Sequence, residues 1–73
     1  GGNVPRRLRG IISRSDDALP VGAEIVVAGE PVGAITSAEG AVGLGYVKRS
    51  VDMLPAVGQV AGAEVAICDL PMI

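Results

Sequence analysis

Apolar positions in this chain recur with a period of two, in short runs cut by glycine and proline, and that pattern predicts strands rather than helices. The clearest stretch is Pro31 to Ser50. From Val32 to Ser37 every residue is β-branched, small or glycine, and from Ala41 to Lys48 the large side chains fall at Val42, Leu44 and Tyr46. That is the spacing of a pleated strand with one face buried. Ala38, Glu39 and Gly40 lie between the two runs and have the length of a short hairpin loop, with Gly40 available for the positive φ such loops need. Opposite the large residues, Ala41, Gly43, Gly45 and Val47 form a face of very small side chains. Glycine inside a strand marks a bend or a close approach by other backbone, which suits a tightly curled barrel; the alternative is an edge strand weakened by its glycines.

The flanking segments read the same way. If Arg6 to Arg14 is a strand, Arg7, Arg9 and Ile11 share one face, and Leu8 and Ile12 lie on the other. Ser15, Asp16 and Asp17 form a polar break. Leu19, Pro20, Val21 and Gly22 then make a turn into the run Ala23 to Ala28. Ala28 to Pro31 is a second tight connection, with Gly29 suited to a primed turn, so runs 23–28 and 32–37 should pair antiparallel. Ser50 to Gly62 is the least regular stretch. It holds a second Leu-Pro pair, then glycine and Ala63, Glu64 and Val65, an echo of Leu19, Pro20, Gly22, Ala23, Glu24 and Ile25. The echo reflects either turn chemistry that feeds a strand twice or a trace of duplication. Ala63 to Cys68 is the final strand, with Val65 and Ile67 on one face and Glu64, Ala66 and Cys68 on the other, and Asp69, Leu70 and Pro71 end it.

A chain of 73 residues makes one domain. At that size only about 60% of the unfolded surface is buried on folding, so the core is small. With no Phe and no Trp, aliphatic side chains carry the packing, each contributing about 1.5–3 kcal/mol when fully buried. Residues 1–3 read as linker or added residues and 4–73 as the domain. No apolar run approaches the length of a membrane span, and no signal-peptide pattern is present. A formal net charge of −2 gives no electrostatic case for nucleic acid as a partner.

Candidate chemistry is sparse. Asp16 and Asp17 point in opposite directions if extended, and with no histidine in the chain they read as loop residues bonded to local backbone. Cys68 is the only cysteine and lacks a histidine base, so it reads as a packing residue. Tyr46, the only aromatic, reads as core with its hydroxyl reaching a partner. The cluster Arg6, Arg7, Arg9 is either a solvated strand start or a meeting point for an anionic ligand or an acidic neighbouring lobe.

The phrase G-x-I-T-S-A, followed by G-L-G-Y-V-K-R, resembles the C-terminal barrel domain shared by glycine-cleavage aminomethyltransferases (T-proteins) and the folate-binding YgfZ family. Val32, Gly33, Ile35, Thr36, Ser37 and Ala38 carry the first half of that resemblance, and Leu44, Gly45, Tyr46, Val47, Lys48 and Arg49 the second. Arg6 to Gly10 resemble the domain's basic first strand, Leu19 to Gly22 its P-x-G turn, and Leu70 and Pro71 its closing L-P-F, with Met72 in place of phenylalanine. The likeness runs from about Val4 to Met72. T-proteins carry a longer loop with a Ser-Pro pair after T-S, so the short connection after Ala38 favours the YgfZ-like branch. The K-G-C-x-x-G-Q motif of that family lies upstream of this domain and is not among these residues, so the expectation is a fragment of a longer protein.

The resemblance implies an all-β fold, a small closed six-stranded Greek-key barrel of the aminomethyltransferase C-terminal type. It implies a cytoplasmic parent that binds tetrahydrofolate and takes part in iron–sulfur cluster assembly or repair and in tRNA modification, with iron–sulfur assembly proteins as partners. The barrel itself, which is not expected to be an enzyme or to hold a cofactor alone, would pack on the upstream lobes of the same chain. A T-protein aminomethyltransferase parent, or a stand-alone protein-binding barrel, are the alternatives. If side chains here face folate, Arg7, Arg9 and Arg49 are the candidates for its carboxylates, because arginine holds a carboxylate bidentately.

Overall fold

A computed structural model describes residues 5–70, and all their regular structure is strand. In chain order the elements are β1 (Arg6–Ser13), β2 (Glu24–Val27), β3 (Glu30–Glu39), β4 (Val42–Lys48), β5 (Ala56–Val60) and β6 (Ala63–Cys68). They close into an antiparallel barrel in the order β1-β4-β3-β2-β5-β6, with β6 returning to β1. Because β4, β3 and β2 are successive hairpins and β1 lies beside β4, the connection is a Greek key. Closure leaves no open sheet edge among the described residues of a chain rich in valine and alanine.

Exchanging β1–β3 with β4–β6 maps the strand order onto itself. The turns obey the same symmetry. Ala28 and Gly29 link β2 to β3 with φ of 52° and 82°, and Ala61 and Gly62 link β5 to β6 with φ of 51° and 80°. Positive φ at both central residues is the primed geometry that matches the twist of the strands, and it agrees with the expectation for Gly29. Equivalence therefore runs from Ala28-Gly29 to Ala61-Gly62. The Ala23-Glu24 and Ala63-Glu64 pairs open non-equivalent strands.

Three sequence expectations change. The β3–β4 connection is Gly40-Ala41, with φ of 59° at Gly40, so Ala38 and Glu39 belong to the strand. The irregular stretch 50–62 contains β5, whose inward Gly58 gave no alternating large side chains to recognise it by. Finally, the large-residue face of β4 points outward. Gly43, Gly45 and Val47 are buried, whereas Val42 and Tyr46 are 44% and 49% exposed and Leu44 is half-buried. The cause is volume. Eight strands leave an interior just wide enough for side chains, and six leave less, so the small face turns in.

The core is Ile11, Leu19, Ile25, Val32, Ile35, Val47, Val60, Val65 and Ile67. Leu19, whose N–H donates to the Gly40 carbonyl at 2.9 Å, stops the barrel near the β3–β4 turn. As expected, Val65 and Ile67 share the buried face of β6, and Arg7, Arg9 and Ile11 share a face of β1, which is the inward one.

Candidate functional site

Five of the six cationic residues, Arg6, Arg7, Arg9, Lys48 and Arg49, sit where the start of β1 meets the end of β4. The register places Arg6 opposite Lys48 and Arg7 opposite Val47, and the Arg49 N–H donates to the Pro5 carbonyl at 3.0 Å. One end of an acidic domain is thus basic.

Arg9 differs from the others. Its side chain is 12% exposed, its guanidinium donates to the Asp69 carboxylate at 2.5 Å, and the β1–β6 register continued past Gly10 and Cys68 makes the two direct cross-strand neighbours. Asp69 also accepts the Leu70 N–H at 2.9 Å. The pair closes the barrel end opposite Leu19, so Arg9 is committed to the fold. The second ion pair among the described residues, Arg14 with Glu64 at 3.8 Å, is exposed and contributes little. Arg6, Arg7, Lys48 and Arg49 take part in neither pair. Of the three arginines named from sequence, the structure brings Arg7 and Arg49 to one exposed end. It adds Arg6 and Lys48, whose opposition is a property of strand register.

A second surface feature lies on the outer face. Three rows of registered neighbours cross it: Leu8 beside Tyr46; Cys68, Gly10 and Leu44; and Ala66, Ile12 and Val42, with Val57 of β5 next to Ala66. All are apolar, and Tyr46, Val42 and Val57 are 49%, 44% and 58% exposed. Tyr46 is therefore a surface residue rather than the expected core residue, because its neighbours Leu8 and Ala34 are themselves outward. On β3 the face ends at polar Ser37 and Glu39. A continuous apolar face of this kind is a candidate interaction surface.

The remaining candidates resolve as structure. Ser13 and Ser15 hydroxyls lie 3.3 Å apart, and Ser15 donates to Asp17 at 3.0 Å, so Asp17 bonds to a neighbouring side chain instead of the expected backbone. Cys68 is half-buried in the outer apolar rows. Among the described residues no three His, Cys, Asp or Glu side chains gather as metal ligands. Nor does any helix there have the length and apolarity to cross a membrane. Residues 1–3 and the closing Pro71 and Met72 lie outside the described residues.

Comparison with models of known families, with curated proteins and with solved structures finds no match.

Proposed function

We propose that this barrel is the C-terminal domain of a cytoplasmic YgfZ-like folate-binding protein acting in iron–sulfur cluster assembly or repair and in tRNA modification. In that role it docks on the upstream folate-binding lobe and closes one side of the folate channel. The observation that carries the docking is the apolar outer face formed by β6, β1 and β4 with Val57 of β5. An uncovered face with Tyr46 at its edge is what a domain interface looks like when its other half is missing, since interface cores favour aromatic and aliphatic side chains and lack charge. The motif residues Val32–Ala38 and Leu44–Arg49 lie on the paired β3 and β4, and this placement supports the family reading. Arg7 and Arg49 are the exposed cations left for folate carboxylates, with Arg9 holding the barrel end.

Titrating the barrel into a separately produced folate-binding lobe tests the docking. Saturable binding is expected, lost on Tyr46→Lys with Val42→Lys and kept on Val21→Lys, a control at a still more exposed turn residue. Equal binding by both variants would remove the apolar face from the account.

A further inference from the structure

The bulge at Val32, which falls between residues registered with Ile25 and Val26, turns that side chain into the core. Beside it the outward position, opposite Tyr46, is Ala34, whose side chain is only a methyl. The outer surface is consequently hollowed there, into a recess of about 310 Å³ lined by Arg6, Lys48, Glu24, Pro31 and the Val32–Ala34 segment. Arg6 and Lys48 stand directly opposite one another on its rim. Like charges placed so are destabilising in a β-ladder, and neither takes part in the ion pairs found among the described residues. Residues directly opposite have Cβ atoms about 5 Å apart, close enough for one compact dianion to bond both.

We propose that this recess is an anion site for a compact dianionic group, a phosphate monoester or a closely spaced pair of carboxylates, gripped between Arg6 and Lys48. Glu24 on the far rim disfavours a long polyanion and favours a ligand with a hydrogen-bond donor beside its charge. The site does not depend on the folate reading, which assigns Arg7 and Arg49 and the opposite face parity.

The test uses the isotope-labelled chain, with amide shifts followed during titration by inorganic phosphate and, in parallel, by glutarate, each against sodium chloride at matched ionic strength. Saturable shifts centred on Arg6, Gly33, Ala34 and Lys48 are expected from at least one probe, and the tighter one names the source as phosphate or carboxylate. Arg6→Glu should weaken that binding roughly tenfold or more, the worth of one charge-assisted hydrogen bond. The same variant makes an opposite-charge pair with Lys48, so without anion its Tm should rise by about 2–5 °C. These opposite signs separate loss of a site from loss of the fold. Shifts no larger than those from sodium chloride, or unchanged affinity in Arg6→Glu, would overturn the assignment.

Discussion

Replacing Gly33 with alanine is expected to cost about 3 kcal/mol or more, against a total stability of about 4–11 kcal/mol for a domain of this size. A Cβ built on Gly33 would lie 2.0 Å from the Tyr46 carbonyl oxygen, 3.0 Å from its carbon and 3.1 Å from the Val47 Cα. All three are backbone atoms of the paired strand, so no rotamer change relieves the clash, and the β3–β4 ladder must open locally. Gly43→Ala, where the nearest atoms are the Ser37 oxygen at 2.9 Å and, at 3.2 Å, the Ala38 Cβ and the movable Leu19 Cδ1, should cost less because no contact is as short as the 2.0 Å at Gly33. Urea titrations of the two variants check the order. A loss below about 1 kcal/mol for Gly33→Ala would contradict the β3–β4 register.

The second large effect is at the barrel centre. Ile25 is fully buried and pairs with Gly33 on one side and Val60 on the other. Truncating it to alanine should cost about 2–5 kcal/mol, because the lost burial adds to a cavity that closed strands cannot collapse to fill. Its Cδ1 occupies the space over Gly45, 2.7 Å from where a Cβ there would stand. The two positions share one volume. Gly45→Ala combined with Ile25→Val, which lacks that Cδ1, should therefore cost less than the sum of the single changes. The Ala34 oxygen at 2.6 Å keeps the compensation partial. Strict additivity in a double-mutant cycle would mean that Gly45 does not face the core.

The fold class was legible because turns and period agreed. Gly29 and Gly40 stand at turns with positive φ, and β6 shows its two faces in the plain alternation of Val65 and Ile67 with Glu64 and Ala66. The facing of β4 was not legible. Large residues at every second position establish a strand but not which side is inside, and reading size as burial failed because a six-stranded interior admits glycine more easily than tyrosine. β5 escaped because its inward positions are Ala56, Gly58 and Val60, too small to mark a face.

The candidate site was partly visible. The run of arginines at the start of β1 stands out in sequence, but its division of labour does not. Arg9 and Asp69 are 60 residues apart and meet only through β1–β6 pairing. Arg6 and Lys48 face each other only through β1–β4 pairing. The apolar outer face was hidden for the same reason as the facing of β4, since large side chains at Val42, Leu44 and Tyr46 mark a strand without showing which of its faces is outside.

The central proposal, that this barrel closes a folate channel built by an upstream lobe, is tested most directly by calorimetric titration of tetrahydrofolate into the proposed longer protein with and without residues 5–70. Removal of the barrel should weaken binding by roughly tenfold or more, as expected when a lid that orders and dehydrates a site is lost, and adding the separate barrel should restore it. Equal affinity with and without the barrel would contradict the claim and leave the outer face to another partner.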